Sequence, residues 1–459
     1  MIDGIGGTEW HGVGRRGRVG ASRRRLMLGA GATGAMSASL ALAACGAGES
    51  PQTAPAPRQL TKENITLTWA SPGDQAEFDV YVKVSEKFTQ MHPNIKVVND
   101  APASSKDKMT TLMASDSLPE IIFRTINDFP AFVQPNNIWL GIDDLIKRDK
   151  FDIQDFYPQI LKPYRYDGKR FGEGKLYGLP KEIAIRSMFY NVDHFAEAGI
   201  KPPAPDQAWT WDEFRNAARR LNKPDGSRYA YSMETWWAMW SIWAWSNGGE
   251  VVDDPWAPTK GTMDTSPVVD ALQYWGDFVS KERFAPPLSA YKDLSKSNHF
   301  AQGKASMYNN GRWNVPNFRR SQFKWDVMLM PKQKQRAQFL SGSVFGVAKA
   351  SKYQEESWEL LKFISGKEAQ NTMTDLGLLF PSRQSIAKSD AFLKSRPPEH
   401  GEVYLKDVEV ARILPMHPRY PEMQTEVDKI SDQVLAGEKT ASVAGKEMNE
   451  KVNLILKAT

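Results

Sequence analysis

The apolar positions between residues 60 and 125 change period in a regular order. Ile65-Thr66-Leu67-Thr68-Trp69-Ala70 alternates and is β-branched, which predicts a first strand, and Ser71-Pro72-Gly73-Asp74 ends it. From 77 to 91 the period lengthens to that of an amphipathic helix, with Phe78, Val82, Ser85 and Phe88 near one face. His92-Pro93-Asn94 stops it, and 95–98 predicts a second strand. A helix is predicted over 106–115, and Leu118-Pro119-Glu120-Ile121-Ile122-Phe123 leads into a third strand. Strands alternating with helices in this way predict a parallel sheet covered by helices. Ligands of such sheets bind beyond the carboxyl ends of the strands, which singles out the loops at 71–75 and 124–129.

A second α/β unit is predicted after residue 180. It has a strand over 185–190 and a helix over 211–221, capped by Thr210 with Glu213 at its third position. Pro224-Asp225-Gly226-Ser227 reads as a turn, and 234–247 as a tryptophan-rich helix closed by Gly248-Gly249. Helical patterning recurs at 268–281, 298–307, 351–366, 424–437 and 442–457. No internal repeat is visible.

The first 44 residues change the picture. Ser22-Arg23-Arg24-Arg25-Leu26-Met27-Leu28 sets paired arginines before an apolar run, which ends at Leu42-Ala43-Ala44-Cys45. This resembles a twin-arginine export signal joined to a lipoprotein cleavage box, with Cys45 as the first mature, lipid-bearing residue. An uncleaved spanning anchor is the competing reading of the 19 uncharged residues 26–44. Either reading puts the body outside the cytoplasm, on the extracellular or periplasmic face. Residues 45–59, rich in Ala, Pro, Gly and Ser, read as a flexible tether.

Composition then excludes several classes. Of 459 residues, 41% are hydrophobic and 25% charged, as in ordinary globular proteins. The net charge of +5 falls to +1 once residues 1–44 are set aside, so no basic footprint for nucleic acid remains. A single cysteine rules out internal disulfides, zinc ribbons and Cys-x-x-Cys redox pairs. No His-x-x-x-His, Gly-x-Ser-x-Gly or phosphate-cradling Gly-x-x-x-x-Gly-Lys motif occurs.

Ordered landmarks carry a resemblance. They run Tyr177-Gly178-Leu179-Pro180, Phe189-Tyr190-Asn191-Val192-Asp193, Ala198-Gly199-Ile200-Lys201 and Thr210-Trp211-Asp212-Glu213-Phe214. Gly248-Gly249, Phe300-x-x-Gly303-Lys304-Ala305-x-Met307, Gly311-Arg312-Trp313 and Pro381-Ser382-Arg383 follow. From about Thr61 to Lys457 the chain resembles extracellular solute-binding proteins of family 1, the carbohydrate-binding lipoproteins of ATP-driven (ABC) importers. The resemblance implies an α/β, two-lobed periplasmic-binding-protein-like fold of type II. Its lobes would be segment-swapped, 60–180 plus 345–381 and 182–342 plus 384–459, joined by crossover strands near 180–183, 342–345 and 380–383. It implies no enzyme activity and no cofactor. Its partners would be a sugar, polyol or sugar phosphate and the membrane permease subunits. A secreted glycoside hydrolase, or a lipid-anchored adhesion or scaffold protein, is the alternative.

Sugar recognition requires aromatic rings for C–H faces and planar polar groups for hydroxyls. Trp313, after its Gly-Arg turn, stands where the family places a stacking ring, and Trp236 and Trp237 open the tryptophan-rich helix where its ligand loop enters. Trp240, Trp243 and Trp245 are assigned to packing. Arg124, Asn127 and Asp128 follow the third strand, and Asp74 follows the first. Arg383, Asn310, Gly342, Ser343 and Glu182 complete the candidates. Arg124, where relatives often offer an aromatic, leaves a charged or phosphorylated solute open.

Overall fold

The computed structural model describes residues 59–458 except Asp74, Pro135, Asn136, Leu376 and Leu378. The leader, Cys45 and nearly all of the tether therefore lie outside the described residues, and so does the candidate Asp74.

Ten strands build two sheets: β1 Ile65–Ala70, β2 Ile95–Asp100, β3 Ile121–Thr125, β4 Leu179–Ala184, β5 Arg186–Asn191, β6 Tyr229–Ser232, β7 Ala305–Gly311, β8 Trp325–Met328, β9 Ser341–Val347 and β10 Phe380–Pro381. The first sheet has the order β10-β4-β9-β3-β1-β2, and the second β8-β5-β7-β6. In β1 the alternation seen in the sequence becomes burial: Ile65, Leu67 and Trp69 are buried while Thr66 is exposed. β1 pairs in parallel with both β2 and β3, as the alternation of strand and helix requires.

The helix Gln75–Met91 covers this sheet with Tyr81, Val84, Ser85 and Phe88. Its buried stripe is rotated from the predicted one, so Phe78 and Val82 are only half-buried. The pattern predicted as a helix over 298–307 is divided. A short helix, Lys296–Ala301, stops at a turn in which Gly303 takes a φ of +70°, and β7 begins at Ala305. Ala305–Gly311 is buried at every position, so its run of side chains carried no strand period.

The chain passes between the sheets at neighbouring points. β4 runs into β5 with only Ile185 between them, and β9 and β10 flank β4 in the first sheet. Val344 stands opposite Pro180 and Gly342 opposite Ile183, so these segments lie side by side as expected. A Cβ on Gly342 would come within 2.6 Å of the Glu182 carbonyl oxygen, so the two strands approach in a way only glycine permits. Two apolar cores result, one around the first sheet and one centred on the helix Trp237–Ser246. The helices Tyr420–Leu435 and Ala441–Lys457 pack on Ser266–Ser280 in that second core. Among the described residues, no helix is long and apolar enough to cross a membrane.

A buried carboxylate ties these passages together. Asp407 Oδ2 accepts from Ser187 Oγ at 2.7 Å and from Gln338 Nε2 at 3.3 Å. Gln338 Nε2 also donates to the Arg186 carbonyl at 2.9 Å. Burial pushes the Asp407 carboxyl up from 3.8 to about 6. The folded protein therefore holds a proton there that the unfolded chain has released, and Asp407 lowers stability as pH rises from about 4 to 6. Two pH units correspond to about 3 kcal/mol. Asp407→Asn is expected to flatten the fall in stability across this window, read from denaturant midpoints at pH 4.5 and 7. Equal slopes in the two proteins would exclude this role.

Candidate functional site

An arginine and three aromatic rings meet where β4 gives way to β5. Arg186 opens β5 and stands opposite Gly311 of β7. Gly311 has no side chain, and the indole of Trp313 folds back over it; a Cβ there would collide with the ring. Trp313 thus lies beside Arg186 while remaining 40% exposed. The Arg186 guanidinium carbon is 5.2 Å from the Trp313 ring centroid, 5.3 Å from that of Trp236 and 4.7 Å from that of Phe339. These are cation–π distances. Burial lowers the guanidinium to about 10. Its Nη1 donates to the Ala184 carbonyl at 3.1 Å, the one protein hydrogen bond of the guanidinium among the described residues.

A polar network borders the rings. Glu234 Oε1 accepts from Tyr308 Oη at 2.8 Å and from Asn310 Nδ2 at 2.9 Å, and Lys296 Nζ stands 3.4 Å from Glu234 Oε2. Asn310 also accepts from the Gly311 N–H at 2.7 Å, which ties the amide to the turn holding Trp313. Asp428 Oδ1 accepts the Trp237 N–H at 2.6 Å, and burial raises this carboxyl to about 6.

The loop after β3 carries two further candidates. Asp128 accepts from Thr125 Oγ1 at 3.0 Å, and the buried Nδ2 of Asn127 has no protein partner among the described residues. Tyr420 is held well above its usual pKa by burial first, then by Asp428 and Asp128, with Arg186 opposing. One phenol thus lies within the fields of both Asp128 and Arg186. At the crossing strands Glu182 accepts from Ser343 Oγ at 2.6 Å, and its other oxygen is 2.9 Å from Lys181 Nζ. Lys181 also pairs with Glu77 at 2.6 Å.

Three sequence candidates have other places. Arg124 is buried, donating to the carbonyls of Ser104 at 2.8 Å and Ser105 at 3.1 Å with its guanidinium carbon 4.3 Å from the Phe132 ring centroid. Trp237 is fully buried, its ring stacked on Tyr420 at 5.8 Å. Arg383 is buried against Phe156 and Phe151 and bonded to Ser365, Asp152 and Asp155. Each of the three is held by core partners. Trp236 and Trp313 instead border Arg186, and Asn310 is bonded to Glu234; the sequence reading named neither Arg186 nor Glu234. The one available signal was an arginine opening a strand next to a Leu-Pro crossover.

The aromatic group offers exposed ring surface, and the amide, carboxylate and guanidinium groups offer planar hydrogen bonding. Such a set can hold a hydroxylated ring by stacking and by paired hydrogen bonds. A separate crevice of about 420 Å³, lined by Trp256, Leu340 and Arg412 among others, contains none of these groups. Among the described residues no cluster of three or more metal-ligating side chains occurs.

Solved structures share this architecture. An ABC substrate-binding protein of Listeria monocytogenes in complex with cycloalternan superposes with a TM-score of 0.75 at 22% identity, over 85% of this chain and 98% of that one. The sugar-binding protein MalE of Xanthomonas citri gives 0.74 at 21%, over 86% and 98%. These likenesses establish the two-lobed α/β solute-binding fold. The sequence profile of the bacterial extracellular solute-binding proteins matches residues 70–371, and the chain belongs to that family. A putative binding protein of Brucella abortus is 26% identical over 62% of this chain and 69% of its own length. The arabinooligosaccharide-binding protein of Bacillus subtilis is 24% identical over 66% and 69%.

Proposed function

We propose that this chain is the non-catalytic capture subunit of an ABC importer, binding a sugar between its lobes and delivering it to the permease. The observation that carries the reading is the pair of partly exposed tryptophans, 236 and 313, flanking Arg186 beside the Glu234–Tyr308–Asn310 network. Relatives named for arabinooligosaccharide, galactooligosaccharide and lactose binding support the class of solute. The lobes are 60–180 plus 345–381 and 182–342 plus 384–459. Solute bridges them and shifts the population from open to closed.

A screen of mono- and oligosaccharides by intrinsic tryptophan fluorescence tests this. The expected result is a saturable shift with one sugar class and no release of new reducing ends. Hydrolysis of that sugar would favour a glycosidase. The lipid anchor belongs to the same reading, and Cys45→Ser is expected to release the protein from membranes. Retention of that variant in the membrane fraction would mean a spanning anchor.

A further inference from the structure

Among the described residues, the guanidinium of Arg186 is a buried charge without a countercharge in contact. Among the described residues no carboxylate lies within ion-pair distance of it, and its Nε and Nη2 have no protein acceptor. Burying an arginine in this way is costly unless something completes its hydrogen bonding. Three aromatic faces supply part of the compensation but accept no N–H in the plane of the fork. The arginine also adjoins the most exposed ring of the site, Trp313. The guanidinium carbon lies 5.2 Å from the ring centroid, so a solute held at the exposed part of that ring is close to the fork. A planar carboxylate matches the fork with two parallel hydrogen bonds; a hydroxyl matches it with one.

The surrounding charges limit what can sit there. Glu234, whose field reaches Arg186, is committed to Lys296, Tyr308 and Asn310. Lys181 is committed to Glu77 and Glu182. Lys296 and Lys181 are thus both engaged, while Asp128 and Asp428 add negative potential at Tyr420, whose hydroxyl also feels Arg186. One negative charge is compensated by Arg186; a second is repelled by these carboxylates.

We infer that the solute is an acidic saccharide, a sugar or oligosaccharide with one uronic carboxylate seated on the Arg186 fork while its ring stacks on Trp313. This deepens the sugar reading above and rests on it. Arg124, the arginine that the sequence offered for a charged solute, holds two backbone carbonyls against Phe132, whereas Arg186 adjoins the exposed Trp313 ring.

The test compares matched pairs by calorimetry on the wild-type protein at one pH and salt concentration. A uronate and its neutral hexose counterpart are used, alone and as the terminal unit of the same short oligosaccharide, with the hexose phosphate as a third arm. The uronate member is expected to bind at least thirtyfold tighter than its neutral twin. Arg186→Gln should bring the two within threefold of each other, and Arg186→Lys should retain a smaller preference because the charge stays and the fork is lost. A neutral twin that binds wild type as well as the uronate overturns this inference and leaves the sugar reading intact. Preference for the phosphate overturns the assignment to a carboxylate. If no saccharide of any arm or of the wider screen binds, the sugar reading itself fails, and this inference with it. The wild-type comparison decides the matter even if a variant at 186 does not fold.

Discussion

Replacing Trp313 by alanine is expected to weaken solute binding at least tenfold while leaving the solute-free protein about as stable as before. The indole is 40% exposed, so its removal opens little new core. What it takes away is the ring face presented beside Arg186. Truncating an aromatic contact of this kind commonly costs about 2 kcal/mol, or roughly thirtyfold in Kd. Trp313→Phe should keep part of the affinity. Gly311→Ala supplies an independent check, because it keeps the tryptophan in the chain but puts a methyl group where its ring lies. That variant should lose affinity nearly as Trp313→Ala does, since the ring must leave its seat. Affinity within twofold of wild type in both would remove Trp313 from the site. A loss of several kcal/mol in solute-free stability for Trp313→Ala would make it a core residue instead.

Residues 65–125 were legible because a parallel sheet with covering helices writes two different periods into the chain. The same rule hid β7 and left the faces of β5 unassigned, although β5 itself was predicted. Every position of β5 and β7 is buried, so their side chains carry no alternation from which a face could be assigned. Arg186 lies in that silent stretch. Arg124 had the opposite history: it ends a visible strand, beside a loop where ligands are expected. Its two Nη groups nevertheless donate to the carbonyls of Ser104 and Ser105, acceptors that a fold brings near and a sequence cannot. Trp236 and Trp237 show the limit at finer scale. One is the N-cap residue of the helix and borders Arg186; the next is the first helical residue and stacks on Tyr420 in the core. A step of one residue turns a helical side chain by about 100°, and neighbouring identical residues give no clue to which direction is inward.

Arg383→Ala should act in the reverse sense to Trp313→Ala, with a large loss of stability and little change in intrinsic affinity. The Arg383 guanidinium donates to the Ser365 carbonyl at 2.8 Å, the Asp152 carbonyl at 3.3 Å and Asp155 Oδ2 at 3.2 Å. The faces of Phe156, at 4.2 Å, and Phe151, at 5.3 Å, enclose it. Removing the arginine leaves Asp155 a buried carboxylate with Ser385 and the exposed, more distant Lys367 as its remaining partners. Two carbonyls lose their donor as well. Breaking a buried pair from one side costs roughly 3–5 kcal/mol, because the surviving charge stays desolvated. The denaturant midpoint should therefore drop well below that of wild type, while Kd measured where the variant is still folded should stay within about threefold. Arg383→Lys should restore only part of the stability, since one ammonium cannot reach three separated acceptors as the planar fork does. If Arg383→Ala instead keeps the wild-type midpoint and loses solute binding, the arginine faces solute, and the site extends to the last crossing strand.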